Sequence, residues 1–290
     1  MSNKILVTGA TGTVGSEVVK LLSAKGANVR ACCHTLSKAD KIRGPGVEIV
    51  EFDYGKPETV EAAFKGVEKL FLLTPGVANM VEITAQLVEE AKKAGVKHIV
   101  KLSSPKLGAD VEARNPMFRW HPQAEKIVEE SGIPYTFLKA SGFMQNFINF
   151  YGQTIKAQNA IYSTTGEGKE GFVDARDIAA VAVEALTGDG HEGKIYQITG
   201  PEAISYNQVA EILSGVLGRK ISHVNMSEED ARKGLKEAGL PDLMINGSIE
   251  ADRITREGLS SYVLPTVEKV TGKKPRSFEQ FTRDYVVAFK

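Results

Sequence analysis

Cysteine is nearly absent from this chain: its 290 residues carry two, Cys32 and Cys33, side by side. Disulfide geometry disfavours a bond between neighbours, so no covalent framework is expected and nothing points to an oxidising compartment. Excess charge of either sign is also missing. Lys plus Arg and Asp plus Glu number 36 each, which argues against nucleic acid or an anionic membrane surface as a partner. No apolar run approaches the roughly 18 residues that cross a bilayer. The five histidines, His34, His98, His121, His191 and His223, show no ligand spacing with Cys or Asp, so no metal site is expected. Gly-x-Ser-x-Gly is absent, which leaves a lipase-like hydrolase unsupported. No secretory pattern precedes the first apolar run. A cytoplasmic protein acting on small molecules is the expectation, as a monomer or homodimer.

The informative presence lies at the start. Residues 5–15 read Ile5-Leu-Val-Thr-Gly9-Ala-Thr-Gly12-Thr-Val-Gly15, and a helical pattern follows from Val14 to Leu22. Three glycines spaced by three, between a buried strand and a helix, make the dinucleotide-binding turn. Gly9 allows the turn out of the strand. Gly12 lets the backbone approach a diphosphate. Gly15 lets the helix pack closely on the sheet. Thr11, Thr13 and Val14 complete the loop, and the helix start offers free N–H groups to the phosphates.

The first half then repeats one pattern. Helical segments end at Gly26, Gly66, Gly95 and Gly132, each followed within a few residues by a strand-like run. Val47 to Phe52 adds a strand, and Pro57 suits a first helical turn. This alternation predicts an α/β Rossmann fold, a doubly wound parallel sheet covered on both faces. Lys194 to Thr199 reads as its last strand. Beyond Gly200 the chain looks more helical, with capped starts at Ser205, Ser227 and Ser277. The expected organisation is a Rossmann domain over 1–150, rejoined by 171–199. A small, mostly helical substrate cap takes 200–290 with about 151–170.

The cofactor preference follows from another absence. NAD-preferring sites place an acid about 20 residues past the glycines to hold the ribose 2′-OH. Here no Asp or Glu stands between Glu17 and Asp40. That permits NADP(H), with Lys38, His34 and Arg30 as cations for the 2′-phosphate; Lys38 is preferred because His34 is mostly neutral at pH 7. Asp53, after the third strand, is either an adenine contact or a turn cap. Thr74, after the fourth, should lie along the cofactor.

On these residues the chain resembles the NmrA-like atypical short-chain dehydrogenases, and within them the NAD(P)H:quinone and triphenylmethane reductase branch. Further motifs carry the likeness: Glu51-Phe-Asp-Tyr54, Val96 to Ser104, Trp120-His121 with Glu125, Ser131 to Leu138, Gly142 to Asn146, Phe172 to Asp177, and Ser277 to Tyr285. The resemblance implies NADP(H), a Rossmann core and a C-terminal substrate domain.

Standard short-chain dehydrogenases pair a Ser with Tyr-x-x-x-Lys. Ser103 or Ser104 matches the serine. His121 stands where the Tyr is expected and Glu125 at the Lys spacing, so the usual proton relay is missing. His121 titrates near neutrality in water and is either a proton donor or a structural residue. Lys139 stands where many relatives have an Arg-Pro pair and is expected to touch cofactor or substrate. Phe143, Met144 and Asn146 fall either at the mouth of the cleft or on a core helix face. Residues 105–119 read as a lid loop, and Asp174 and Asp177 as structural caps. Two functions stay open. One is NADPH-dependent hydride transfer to a small conjugated acceptor such as a quinone, with Ser103, His121 and Lys139 at the reacting end. The other is a non-catalytic NADP(H) sensor acting through protein partners.

Overall fold

The computed structural model describes residues 4–105, 108–115 and 117–290. Its strands are β1 (Lys4–Val7), β2 (Asn28–Cys33), β3 (Val47–Glu51), β4 (Lys69–Leu72), β5 (His98–Ser103), β6 (Tyr135–Ala140), β7 (Ala160–Ser163), β8 (Lys169–Glu170), β9 (Lys194–Ile198), β10 (Ile204–Ser205) and β11 (Ser222–Asn225). The helices through the sheet region are α1 (Thr13–Ala24), α2 (Pro57–Phe64), α3 (Met80–Lys93), α4 (Ala109–Arg114), α5 (Met117–Glu130), α6 (Asn146–Asn149), α7 (Gly152–Gln158) and α8 (Ala175–Thr187). Then come α9 (Tyr206–Leu217), α10 (Glu228–Glu237), α11 (Asp242–Arg256), α12 (Thr266–Thr271) and α13 (Phe278–Asp284). None of the described helices is long and apolar enough to cross a membrane.

Seven strands form one sheet in the order β3-β2-β1-β4-β5-β6-β9, with every neighbouring pair parallel. The chain builds outward from β1 on one side and then crosses to β4 on the other. Where the order reverses, between β1 and β4, the carboxyl ends of the strands leave a crevice. The strands are apolar toward both faces because helices cover both. On one face α1 (Val14, Val18, Leu22) and α8 (Ile178, Val181, Ala185) pack on Val7, Val100 and Leu138. On the other α2 (Val60, Phe64), α3 (Ile83, Leu87) and α5 (Val128) pack on Leu6, Leu70, Ile99 and Phe137. Each fully buried side chain of this size contributes about 1.5–3 kcal/mol. The four glycines expected to end helices have φ between +71° and +76°, where a Cβ would be strained.

A third cluster lies beyond the sheet and is rich in rings: Phe147, Phe172, Tyr206, Phe278, Phe281 and Phe289. Phe147 meets Phe172 and Phe278 edge-on at 5.1 and 5.0 Å. Around it β7 pairs with β11 and β8 with β10, two small sheets in a region expected to be mostly helical. Strands of two to four residues are too short to display a period of two. The expected serine caps form at α9, α10 and α13, with a full capping box between Ser205 and Gln208. α12 turns back, and its Val267 joins the cluster beneath α1 and α8.

The loop expected over 105–119 is helical over much of its described length. Residues 109–114 are helical, as Ala-Asp-Val-Glu-Ala-Arg favours, and Met117 starts α5. Residues 106, 107 and 116 lie outside the described residues. Arg114 ties α4 to α11 through Glu250 and to Glu257 just past its end, each at 3.0 Å.

Far from the crevice, His98 is buried at the start of β5. Its Nε2 lies 2.9 Å from the Thr136 hydroxyl, and its Nδ1 has no partner among the described residues. Burial pushes its pKa down to about 4. The unfolded chain therefore binds a proton below about pH 6.5 that the folded chain refuses until about pH 4. Stability held above pH 6.5 is lost as the pH falls through that window, by about 3 kcal/mol from this group. Urea unfolding of His98→Gln from pH 7 to 4 should show a shallower decline than the wild type; an identical slope would remove His98 from the account.

Candidate active site

The crevice begins at the glycine turn. Gly9 has φ +61° and its carbonyl accepts from Gly12 N–H at 2.9 Å, closing the loop between β1 and α1. A Cβ on Gly15 would lie 2.1 Å from Gly9 O, so that residue must be glycine for the turn to exist. A Cβ on Gly12 would meet only Gly9 O, at 3.2 Å. Gly12 is the N-cap of α1 and has no side chain to cap it. The first N–H groups of the helix, from Thr13 and Val14 onward, have no partner within it and carry the positive dipole end.

Thr8 pins the turn to the neighbouring strand. Its buried hydroxyl donates to Leu73 O at 2.9 Å and accepts from Leu73 N–H at 2.8 Å, joining β1 to the end of β4. One residue on, the Thr74 hydroxyl is buried with no partner among the described residues, at the strand end that faces the switch point. Thr11 sits in the turn itself, partly exposed.

At the far side, His34 and Lys38 are exposed just beyond β2, Lys38 in a 3-10 turn over Leu36–Ile42. Asp53, just past β3, sits 3.8 Å from His34 Nε2. Its Oδ1 accepts from Gly55 N–H at 2.9 Å, so the turn-cap role is filled, while Oδ2 faces His34. Arg30 is not a candidate. It lies within β2, buried, and its guanidinium is consumed by Glu48 and by the carbonyls of Ala63 and Lys65.

At the carboxyl ends of β5 and β6, beneath α5, lies a buried polar cluster. β5 and β6 are in register with Ser103 opposite Lys139. Lys101 precedes Ser103 by two residues and so points to the same face. On α5, which covers that face, His121 and Glu125 are four residues apart and share one side. Glu125 accepts from the Ser103 hydroxyl with one oxygen and from Lys139 Nζ at 2.7 Å with the other. Lys101 has no exposed surface. Its Nζ donates to Leu102 O at 3.0 Å and lies 3.4 Å from His121 Nδ1. Relative to Tyr-x-x-x-Lys, the helix carries a glutamate at the lysine position, and the cations come from the strands.

Burial governs titration here. It pushes Lys101 down to about 8, opposed by Glu125 and reinforced by Lys139. His121 is pushed down to about 3, by burial first and then by the Lys101 and Lys139 charges. The near-neutral titration expected of His121 therefore does not hold, and at physiological pH the ring is neutral. Lys101 stands outside the candidate set, and Glu125 enters the sequence reading only at the Lys spacing after His121 and in the family likeness, with no site role. The available signals were a charged residue inside the apolar run His98-Ile-Val-Lys-Leu102, and a carboxylate on the same helix face as His121.

Phe143 and Asn146 are half-buried between β6 and α6, and Phe143 forms a bridge with Val173. Met144 is buried in the aromatic cluster, which decides for the core face between its two readings. Asp174 caps α8 through Arg176 N–H, and Asp177 accepts from Arg276 N–H at 2.7 Å, the structural roles expected of them.

A dinucleotide fits these features. The turn has no Cβ where a diphosphate must approach, α1 begins uncapped, and Thr74 holds an orphaned hydroxyl at the adjoining strand end.

Comparison with known proteins agrees. The NmrA-like family matches residues 1–281. An NAD(P)H azoreductase of Xenophilus azovorans is 39% identical over 285 residues, covering 98% of this chain and 99% of the relative. The crystal structure of the NADPH-dependent quinone oxidoreductase QOR2 from Escherichia coli, complexed with NADPH, superposes with a TM-score of 0.85 at 26% identity, covering 98% of this chain and 99% of that one. The Citrobacter sp. triphenylmethane reductase complexed with NADP(H) gives 0.83 at 29% identity, covering 96% and 99%.

Proposed function

The chain belongs to the NmrA-like family and is an NAD(P)H-dependent reductase; from that premise we propose that it reduces small, flat, conjugated acceptors, quinones foremost. NADPH, when bound, supplies the hydride. Gly9, Thr11, Gly12, Thr13 and Val14 would hold its diphosphate, Lys38 and His34 its 2′-phosphate, Asp53 the adenosine end, and Thr74, Ser103 and Lys139 the stretch toward the reacting end. Phe143 and Asn146 would border the acceptor, and residues 151–170 with 200–290 would cap it.

The observation that carries the acceptor class is the make-up of the cluster at Ser103. It offers no tyrosine, and its histidine is neutral. Two lysines face a single glutamate there, which suits an acceptor that becomes anionic. Hydride addition to a quinone leaves a phenolate, whose acid has a pKa of about 10. A simple ketone would leave an alkoxide, closer in basicity to hydroxide, whose acid sits near 15.7. The quinone needs far less from a positioned acid, and orientation supplies much of the acceleration. Full-length likeness to reductases favours turnover over the sensor reading.

NADPH consumption against a panel of quinones, azo dyes, cationic dyes and simple ketones tests this. Oxidation with quinones and none with ketones supports it. Tight NADPH binding with no turnover on any acceptor would return the protein to the sensor reading. Lys38→Ala should weaken NADPH roughly tenfold, the worth of one charged hydrogen bond, and leave NADH within twofold. Equal loss for both nucleotides, measured by titration calorimetry, would remove Lys38 from the 2′-phosphate site.

A further inference from the structure

We propose that Lys101 is the resident proton source for acceptors that must be protonated once reduced, and that His121 carries the proton from Lys101 Nζ toward the crevice. This rests on the reductase reading above.

Lys101 is a lysine without exposed surface, inside a strand covered on both faces. No carboxylate bonds it. Its contacts are a carbonyl oxygen and an imidazole nitrogen. A buried ammonium without a bonded carboxylate is costly, so Lys101 gives up its proton more readily than an exposed lysine. The groups facing it come from three elements: Ser103 on β5, Lys139 on β6, and His121 and Glu125 on α5. Glu125 is already engaged by Ser103 and Lys139. His121 is therefore the side chain to which Lys101 can pass a proton.

The tautomer is set by this contact. Lys101 has only donors, so His121 Nδ1 is the acceptor and the ring proton sits on Nε2. Nε2 has no protein partner among the described residues. In a β–α–β crossover α5 runs back against the strands, so His121, one turn nearer its start than Glu125, lies on the crevice side.

The step balances. Hydride addition leaves the acceptor as an anion. The Nε2–H bond of His121 breaks as a new O–H or N–H bond forms on that anion. At the same time Nδ1–H forms and a Lys101 N–H breaks. The transfer is concerted: the Lys101 charge is one of the influences that keep His121 neutral, so ammonium and imidazolium do not coexist. After product leaves, a proton from solvent adds to Nε2 as the Nδ1 proton returns to Lys101, so each turnover consumes one solvent proton.

Acceptor chemistry separates this role from a structural one. A cationic triphenylmethane dye becomes neutral on taking hydride and needs no proton. A quinone needs one, and an azo group, leaving a more basic nitrogen anion, needs one more urgently. In Lys101→Met, kcat for a soluble quinone relative to kcat for the cationic dye should fall at least tenfold. For an azo dye the ratio should fall on the order of 100-fold, the usual worth of a positioned acid. KM values should hold. The wild-type quinone rate should decline above about pH 8, and that limb should vanish in the variant. His121→Phe, which cuts the relay downstream, should reproduce both ratio changes. An unchanged ratio, with both rates falling together or neither falling, overturns the relay alone. No turnover of any of the three by the wild type overturns it together with the reductase reading.

Isotope-edited NMR of the cofactor-free chain gives a second readout. One lysine should titrate near pH 8, with the His121 ring responding, and that signal should be lost in Lys101→Met. Titration of every lysine near its ordinary value of about 10.4 would overturn the proposal.

Discussion

Valine at position 12 should weaken NADPH binding by at least about 100-fold, or about 2.7 kcal/mol, while leaving the chain folded. Gly12 has φ −84° and ψ −178°, an extended conformation open to any L-residue. A Cβ there meets only Gly9 O, at 3.2 Å, which a small shift relieves. The rest of the side chain would stand over the turn, where the uncapped N–H groups of α1 would receive the diphosphate. Gly15 makes the contrast. A Cβ there would lie 2.1 Å from Gly9 O and 2.7 Å from Gly9 C, so even Gly15→Ala must displace the turn itself. That variant should lose binding and also about 1–3 kcal/mol of stability, the usual cost of overpacking. Thermal melts beside calorimetric titrations separate the two. Gly12→Val binding NADPH within a few-fold of wild type would contradict the phosphate cradle.

Removing Glu125 should have the largest effect on stability. Glu125 and Lys139 are a buried ion pair, with side-chain exposures of 11% and 8%. Glu125→Ala leaves the Lys139 ammonium without its partner in a dry site that already holds Lys101, and the Ser103 hydroxyl without its acceptor. Breaking such a pair from one side costs about 3–5 kcal/mol. Replacing both partners with apolar residues, Glu125→Leu with Lys139→Met, should recover most of that loss, because no charge is then stranded. Urea unfolding at pH 7 measures both. A loss below about 1 kcal/mol in Glu125→Ala would mean that water reaches the cluster and that the pair is not buried in solution.

The parts of this molecule legible from sequence are those written in local chemistry. Gly26, Gly66, Gly95 and Gly132 end helices because positive φ suits them, and a periodic signal marks each strand between them. The glycine turn was legible for the same reason: backbone approach leaves a mark at fixed spacing. The missing acid near His34 could be read as well, since absence of a residue type needs no geometry.

What stayed hidden depends on contacts between distant segments. Arg30 looked like an exposed cation until its register placed it beside Glu48 and under Ala63. Met144 reads equally as a cleft or a core residue, and only the aromatic cluster that encloses it decides. Glu125 and Lys101 sit 24 residues apart in the sequence and gain meaning only when α5 folds over β5 and β6. The titration of His121 follows from that burial and could not be taken from its value in water. Between residues 105 and 119, glycine and charge suggested a loop, yet helix-forming residues and the Arg114 ion pairs made α4.

The central claim is that the Gly9–Gly15 turn and the Ser103–Glu125–Lys139 cluster are the two ends of one nucleotide groove. A crystal structure of the wild-type chain with NADP⁺ tests it most directly. The account predicts the diphosphate within hydrogen-bond distance of the Thr13 and Val14 N–H groups, and the nicotinamide beside Ser103 and Lys139. A nucleotide bound elsewhere, or a nicotinamide turned away from that cluster, would contradict it.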